Sequence, residues 1–407
     1  MKLANATNPQ TSDELQVNKA WAKLPLFDRS KWRRVRFGDV VENLNETERN
    51  PAAAGIERFI AMEHLEPGSL RIREWGDVAE GTTFNRRCRP GQVLFGKRRA
   101  YQRKVAVAEF DAVVSGDIYV FAPKGDRLLP ELLPFLCISE RFFNFAVETS
   151  AGSLSPRTNW SSLASFEFDL PPLAQQRRIA EILRAMDDAL DAYDCEIEAA
   201  EKAKDCLILK RLESMAHNEC DVVSLADVCE RIVDGTHFTP TYITSGIPFL
   251  RVTDIQEDGI DWDKVRRISP LEHQQLCNRC NPRKGDVLLS KNGTIGISKV
   301  VDWDEEFSIF VSLCLLRPKE LLLTEYLAEA LNSKYVQDQF LKRSKQGTVT
   351  NLHLIEIREC RLPMPSKAAQ RDLVQASSRF SALILSSRKR RDMMISLRRA
   401  MLETVLK

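Results

Sequence analysis

The sequence "LPPLAQQRRIAEILRAMDDALD", residues 170–191, begins with two prolines after a leucine and continues as a helical pattern. The chain repeats this arrangement at residues 362–384 as "LPMPSKAAQRDLVQASSRFSALI". Proline suits the first turn of a helix, where its missing N–H has no intrahelical partner to lose. The two stretches therefore predict two similar helices, about half a chain apart.

Apolar residues recur every seven positions in both helices, with charged residues elsewhere, and this pattern predicts the seam of a coiled coil. We expect the two helices to pack against each other along these seams as an antiparallel coiled coil. The seam residues are Ile179, Leu183, Met186, Leu190, Tyr193, Ile197 and Leu207 in the first helix, and Leu373, Phe380, Ile384, Met394, Leu397 and Met401 in the second.

The predicted first helix, from about residue 174 to about residue 216, would be ~60 Å long at ~1.5 Å per residue. That is longer than one turn of DNA, ~34 Å. An antiparallel pair of such helices would act as a spacer and place the preceding segments at opposite ends with pseudo-twofold symmetry. The alternative is a coiled coil that only dimerises the protein.

The segments before the two helices also repeat one another. "RPGQVLFGKRRA" from Arg89 aligns with "RKGDVLLSKNGT" from Arg283, at an offset of 283 − 89 = 194. Three further matches keep the same order: "FGDVVENL" with "LADVCERI", "RFIAMEHL" with "PFLRVTDI", and "AGSLS" with "QGTVT". They indicate one module used twice. We predict an N-terminal tail (1–24), a first module (25–170), a central helix (171–216), a second module (217–362) and a C-terminal helix (363–407).

Each module is predicted to be a compact α+β domain. Short β-favouring runs are bounded by Gly, Pro or Asp, and a longer helical pattern follows them, at residues 129–148 in the first module and 322–342 in the second. The β-favouring runs are Val93–Phe95, Val105–Ala108 and Ile118–Phe121, then Val287–Leu289 and Ile309–Leu316.

Positive charge is concentrated in residues 85–104, "NRRCRPGQVLFGKRRAYQRK", which contain no acidic residue although the whole chain has a net charge of only +2. Such a cluster can neutralise phosphates and reach base edges, because Arg pairs with guanine and Gln with adenine. A solvated basic loop is the alternative. The predicted DNA-binding residues of the first module are Arg86, Arg87, Lys97, Arg98, Arg99, Tyr101, Gln102 and Arg103.

The sequence offers little support for catalysis or metal binding. It lacks a glycine-rich phosphate loop with Lys-Ser or Lys-Thr, and "DLPPL" only mimics an adenine methyltransferase motif because Leu170 separates Asp169 from the prolines. Cys277 and Cys280 have metal-ligand spacing, but no second close cysteine pair completes a zinc site. We expect no catalytic residue and no metal. With neither a signal peptide nor a membrane span in the sequence, we expect a cytoplasmic protein.

Three stretches, "LPPLAQQRRIAEIL" at 170–183, "DGTHFTPTYITSGIPFLRVTDI" at 234–255 and "RKGDVLLSKNGTIGISKVV" at 283–301, occur within the two-copy layout. Together they resemble the DNA specificity subunit of type I restriction-modification systems, from about Trp32 to the end. The first copy departs from the second, with "GKRRAYQ" where the second has "SKNGTIG". This difference suits modules that read different DNA sequences.

The resemblance implies a non-catalytic prokaryotic subunit that binds an asymmetric, two-part DNA target. Such a subunit would recruit two copies of an adenine methyltransferase subunit and an ATP-driven restriction subunit. S-adenosylmethionine, ATP and Mg would be bound by those partners, and this chain itself would bind no cofactor. A self-sufficient coiled-coil regulator or scaffold is the alternative function.

In the second module the turn "NGTIG" is more typical of a hairpin than of a cofactor loop. We predict that Lys291, Asn292 and Thr294 from this turn contact DNA, together with Thr236 and His237 from "DGTHFTPTY". Thr236 and His237 suit a turn-forming role equally well.

Overall fold

The computed structural model describes residues 24–152, 155–255, 259–344 and 351–405. They form two compact units: one extends to Asp194 and resumes at Arg388, and the other comprises Cys195–Ser387. Each unit contains one α+β module and one half of each long helix. No helix among the described residues is long and apolar enough to cross a membrane.

The described residues of the first unit form ten strands and four short helices before the first long helix begins. The strands are β1 (Arg33–Arg36), β2 (Val41–Leu44), β3 (Arg58–Ile60), β4 (Gly76–Asp77), β5 (Arg86–Cys88), β6 (Val93–Gly96), β7 (Val105–Val107), β8 (Ala112–Val114), β9 (Ile118–Pro123) and β10 (Glu167–Leu170). The helices are α1 (Phe37–Val40), α2 (Leu133–Cys137), α3 (Glu140–Glu148), α4 (Trp160–Ala164) and the long α5 (Leu173–Ser214), which continues into the second unit.

The second unit follows the same order except that helix α7 lies between β14 and β15, where the first unit has strand β5 between β4 and β6, and it leads into the second long helix. Its strands are β11 (Val222–Ser224), β12 (Cys229–Asp234), β13 (Ile247–Leu250), β14 (Arg266–Ile268), β15 (Val287–Ser290), β16 (Ser298–Val300), β17 (Ser308–Ile309), β18 (Leu313–Pro318) and β19 (Arg361–Pro363). Its helices are α6 (Leu225–Val228), α7 (Pro270–Cys277), α8 (Thr324–Asn332), α9 (Lys334–Arg343), α10 (Leu354–Glu359) and the long α11 (Lys367–Val405), which ends in the first unit.

The two modules share one sheet topology, so the predicted internal repeat is confirmed. The first has sheets of order β2-β9-β6-β7 and β4-β3-β8-β5, and the second has β12-β18-β15-β16 and β14-β13-β17. In both second sheets one pair is parallel, β3 with β8 and β13 with β17. The first module differs by the additional strand β5.

The central strands β6 and β15 are buried on both faces, which explains their continuous apolar sequences. Side chains alternate along a strand. Val93 and Phe95 accordingly pack in one apolar cluster, whereas Leu94 packs in another. Val287 and Leu288 are divided between two clusters in the same way. Each module therefore has two apolar layers, one on either side of its central sheet.

Two element predictions were too coarse. The run Ile309–Leu316 is not one strand, because a turn separates β17 from β18. Each long helical pattern is divided into two helices by a serine, Ser139 between α2 and α3 and Ser333 between α8 and α9. The Ser139 hydroxyl accepts a hydrogen bond from the Phe142 N–H, which caps the new helix.

The long helices pack antiparallel within each unit. In the first unit, Asp187 and Asp194 of α5 pair with Arg398 and Arg391 of α11, so residue numbers rise along one helix as they fall along the other. In the second unit, the Ser387 hydroxyl donates to Glu196 at 2.7 Å. Of the predicted seam residues, Ile179, Leu183, Leu190, Ile197, Leu373 and Met401 are buried, and Met186, Tyr193, Leu207, Phe380, Ile384, Met394 and Leu397 are half-buried.

Candidate nucleic-acid interface

Each module carries the same pair of loops. In the first module, the loop after β6 lies against the segment before α4: the Arg99 N–H donates to Pro156 O at 2.7 Å, and the Thr158 N–H donates to Lys97 O at 3.0 Å. We call residues 97–104 with 155–158 the first loop pair. In the second module, the Leu352 N–H donates to Lys291 O at 2.9 Å. Residues 291–297 with 351–352 form the second loop pair.

The two loop pairs share a backbone but differ in side chains. The backbones of Arg98 and Arg157 form an isolated antiparallel β-bridge in the first loop pair, and those of Asn292 and Asn351 form one in the second. Both positions are shifted by the offset of the repeat, 292 − 98 = 194 and 351 − 157 = 194. The structure therefore provides one scaffold with two different sets of polar groups. The match of "AGSLS" with "QGTVT" lies partly outside the described residues.

The first loop pair contains the only described non-glycine residues with positive φ, Arg99 at 53° and Arg103 at 56°. Gly293, at the position equivalent to Arg99, also has positive φ, at 79°. Glycine adopts this region without strain, whereas another residue pays a conformational cost of about 1–3 kcal/mol. Such residues concentrate at functional sites. Arg99 is exposed and has no side-chain partner among the described residues.

Asp117, directly before β9, organises two arginines of the first loop pair. Arg157 Nε lies 3.0 Å from Asp117 Oδ1, and Arg98 Nη1 lies 3.5 Å from Asp117 Oδ2. Arg98 Nε also donates to the Ser155 hydroxyl at 2.6 Å. Asp117 and Arg157 were not predicted from the sequence because both lie outside the basic stretch.

Two further cations lie close to this group. Arg86 donates from Nη1 to Ile118 O at 2.9 Å, and Lys97 Nζ lies 5.1 Å from the centre of the Tyr119 ring. Burial lowers the pKa of Arg86. Burial and the nearby charge of Arg86 lower the pKa of Lys97. An anion placed here would favour the charged forms, as expected of a phosphate-binding surface.

The other predicted DNA-binding residues of the first module differ in their exposure to solvent and in whether they already pair with a carboxylate. Arg87 pairs with Asp111 at 3.1 Å, and Arg103 binds Glu140 through both terminal nitrogens. Tyr101 is 55% exposed, whereas Gln102 is half-buried. Arg87 and Arg103 thus already have carboxylate partners, and Arg99 and Tyr101 are the side chains most open to solvent.

Asp234, at the end of β12, has the organising role in the second module. Its buried carboxylate lies 3.6 Å from Lys291 Nζ and 3.4 Å from His237 Nε2, and it also binds Arg279. Burial acts to raise the pKa of Asp234, but the Arg279 hydrogen bond and the charges of Lys291, Arg279 and His237 outweigh it and lower the pKa. Arg279, half-exposed, was missed because it lies within "CNRC", where the cysteine spacing was the more visible feature.

The predicted residues of the second module divide by burial. Lys291 and Thr236 are buried, Asn292 is half-buried, and His237 and Thr294 are exposed. The turn "NGTIG" connects the antiparallel strands β15 and β16, as predicted. In the described parts of the chain, no group of three or more His, Cys, Asp or Glu side chains could hold a metal ion.

Residues 30–201 and 218–392 match the family model of the type I restriction modification DNA specificity domain. The chain belongs to this family. The two matched ranges each contain one module with its loop pair, so the specificity domain occurs twice, as the resemblance indicated. The matched ranges also extend into both long helices.

Curated members of the specificity family align with parts of the chain. The type I restriction enzyme EcoBI specificity subunit of Escherichia coli is 28% identical over 134 residues, which are 33% of this chain and 28% of that protein. The MjaVIII specificity subunit of Methanocaldococcus jannaschii is 21% identical over 326 residues, 74% of this chain and 72% of that protein. The chain thus spans less than a third of the EcoBI subunit.

Solved structures share the specificity-domain fold at low identity. A chain from a structural study of complex assembly and conformational transition in the type I R-M system superposes with a TM-score of 0.58 at 22% identity, covering 92% of this chain and 97% of that one. The type I S subunit from M. genitalium gives a TM-score of 0.57 at 13% identity, with 94% and 98% coverage.

Proposed function

We propose that this chain is the DNA-recognition subunit of a type I restriction-modification complex and that each module reads one part of an asymmetric, two-part target. This proposal is supported most directly by the first and second loop pairs, which have equivalent backbones but different side chains. Arg98 and Arg157 in the first module correspond to Asn292 and Asn351 in the second. Arginine and asparagine prefer different base edges, guanine and adenine respectively.

The charges of the first loop pair support DNA as the ligand. Arg86, Lys97, Arg98, Arg99 and Arg157 belong to one unit, and the nearest described carboxylate, Asp117, offsets only part of their charge. Phosphate contacts from such cations supply affinity without sequence information, and contacts to base edges supply the specificity. The expected recognition mode therefore combines both types of contact in the first module.

The long helices are proposed to connect the two modules and to recruit two methyltransferase subunits and a restriction subunit. Methyl transfer and DNA cleavage would occur on those partners, which would bind S-adenosylmethionine, ATP and Mg. In this proposal the chain supplies target choice and no catalytic group, and it acts in the prokaryotic cytoplasm.

A genome-wide map of N6-methyladenine in the native host, with and without this chain, tests the proposal. We expect a two-part asymmetric motif to be methylated only when the chain is present. A methylation map that does not depend on the chain would favour the coiled-coil regulator or scaffold. That alternative also predicts that the purified chain forms homodimers and binds its site tightly without methyltransferase partners.

A further inference from the structure

We propose that Asp117 is a specificity-determining positioning residue that holds Arg98 and Arg157 as a fixed pair for reading guanine in the first half-site. This inference rests on the proposed function and extends it to the identity of a base. Asp117 would not touch the DNA itself, because its two carboxylate oxygens face the two arginines.

The contacts of Arg157 leave the two terminal nitrogens of its guanidinium group available to a ligand. Nε is occupied by Asp117 Oδ1 at 3.0 Å, whereas Nη1 and Nη2 have no hydrogen-bond partner among the described residues. Its backbone is fixed by two hydrogen bonds with Ala151, each 2.9 Å. Guanine presents two adjacent acceptors, O6 and N7, in the major groove, and the planar fork of arginine matches them. Arg157 is therefore preorganised for a bidentate contact.

Arg98 is held in a similar way. Nε donates to the Ser155 hydroxyl and Nη1 lies near Asp117 Oδ2, so the side chain is fixed at two points while 43% of it stays exposed. Fixing a long side chain before binding reduces the entropy lost on binding. It also restricts the contacts that the guanidinium can make, which increases discrimination between bases.

The shared carboxylate favours a base contact over a phosphate contact. Asp117 offsets part of the positive charge of Arg98 and Arg157, which weakens their attraction to any phosphate. Arg99, in contrast, is exposed and has no carboxylate partner among the described residues. Within the first loop pair, Arg99 is therefore suited to contact a phosphate. Arg98 and Arg157, which are held by Asp117, are suited to contact base edges.

The second module is an internal comparison for this arrangement. The Lys97 N–H donates to Asp117 O at 2.9 Å, and the equivalent Lys291 N–H donates to Ser312 O at 3.0 Å, so Asp117 and Ser312 occupy the same backbone position. Where the two arginines are replaced by Asn292 and Asn351, the carboxylate is replaced by a hydroxyl. The carboxylate and the arginine pair occur together, as expected if Asp117 serves them.

The test uses the full-length chain with its methyltransferase partners and a duplex carrying its methylated motif. A second duplex has 7-deazaguanine, which lacks the N7 acceptor, in the half-site read by the first module. We expect Asp117→Asn to reduce the preference for the normal duplex by about tenfold, the order of the one charge-assisted hydrogen bond to N7 that the base analogue removes. Because a negative charge is lost, binding to unrelated DNA should become stronger.

Two further variants separate positioning from charge. Glu109→Gln removes a carboxylate of the same module that pairs with Arg71, away from the loop pair, and it should leave the preference unchanged. Arg157→Lys keeps the charge but lacks the planar fork, so it should lose the preference while the salt dependence of binding stays the same.

The outcomes distinguish this inference from the proposed function. A motif whose first half-site contains no guanine, or a preference that Asp117→Asn leaves intact, would overturn the role of Asp117 while the specificity function stands. If the chain directs no methylated motif at all, the proposed function fails and this inference fails with it.

Discussion

At the scale of single residues, the first loop pair is distinguished by where its cations are placed. Arg99 and Arg103 hold the backbone in a conformation that the second module forms with glycine. Arg103 is then used internally, on Glu140, whereas Arg99 is directed to solvent. Neighbouring residues of one charge thus have different roles, which composition alone cannot reveal.

The double variant Arg98→Ala with Arg99→Ala tests the basic stretch. We expect weaker DNA binding and a dependence of affinity on salt that is shallower by about one unit in the slope of log K against log salt, because Arg99 would no longer neutralise a phosphate. Arg34→Ala with Arg36→Ala is a matched control. These two exposed arginines lie on strand β1, outside the first loop pair, and pair with Glu167 of strand β10. Unchanged affinity at every salt concentration would remove the loop from the interface.

The basic stretch could be predicted from sequence because its residues are consecutive. Asp117, Arg157 and Arg279 could not, since each reaches the site only through the fold: Asp117 precedes β9, Arg157 precedes α4, and Arg279 follows α7. The burial of individual side chains could not be predicted from the sequence either. Lys291 lies in a turn sequence typical of the surface, yet its side chain is only 6% exposed beside Asp234.

At the scale of elements, the paired halves of the long helices in the first unit contain a buried charge pair. Arg398 and Asp187 are 9% and 13% exposed, and Arg398 also donates to Gly68 O at 3.0 Å. Burial lowers the pKa of Arg398, although Asp187 opposes this effect. The more exposed pair of Arg391 with Asp194 provides a comparison on the same two helices.

Removing one member of the buried pair should be costly. We expect Arg398→Met to lower the free energy of unfolding by about 3–5 kcal/mol, because the buried Asp187 carboxylate would lose the counter-charge that binds it directly. The double variant Arg398→Met with Asp187→Leu should regain much of this loss. Arg391→Met should cost only about 0–1 kcal/mol. Denaturant unfolding measures all three, and equal losses for both single variants would contradict the role of burial.

Glu140, at the start of α3, gives a pH-dependent test of a contact between elements. The hydrogen bond from Arg103, with the charges of Arg103 and Arg399, lowers the pKa of Glu140 below its ordinary value of 4.5. A carboxylate with a lowered folded-state pKa stabilises the protein above its unfolded pKa, and this contribution is lost as the pH falls through the folded value.

We therefore expect Glu140→Gln to lower stability most above pH 4.5 and to converge with the wild type as the pH falls below that value. Unfolding free energies measured across this range give the comparison. Glu148→Gln, an exposed change in the same helix, should show no such dependence. If the gap in unfolding free energy between the wild type and Glu140→Gln became larger as the pH falls, the contact with Arg103 would not be what stabilises the fold.

The long helices were the most predictable elements. Their seven-residue pattern placed the first helix at about residues 174–216, and α5 is Leu173–Ser214. The divided helices were harder to predict because the hydrophobic pattern continues through Ser139 and Ser333, where the backbone becomes extended. The Ser139 hydroxyl caps α3, whereas the Ser333 hydroxyl donates to Ala330 O of α8. Among the described residues, strand β5 has no counterpart in the second module, where the equivalent segment contributes buried Cys280 without forming a strand.

At the scale of the whole molecule, the repeat is the feature that sequence and structure describe most fully. Both modules have the same loop pair and, apart from β5, the same strand order, and they differ in the polar groups that the loops carry. Under the proposed function, either module can change the half-site that it reads without changing the half-site of the other. The domain boundaries given from sequence, 25–170 and 217–362, stay a prediction, and they define the segment to be exchanged.

The most direct test of the account is therefore a module exchange. Residues 25–170 are replaced by the corresponding module of a specificity subunit with a different target, and N6-methyladenine is mapped across the genome of a host expressing the chimaera. We expect a new motif in which only one half differs from the original. A motif that changes in both halves, or that does not change at all, would contradict the claim that each module reads its own part of the target.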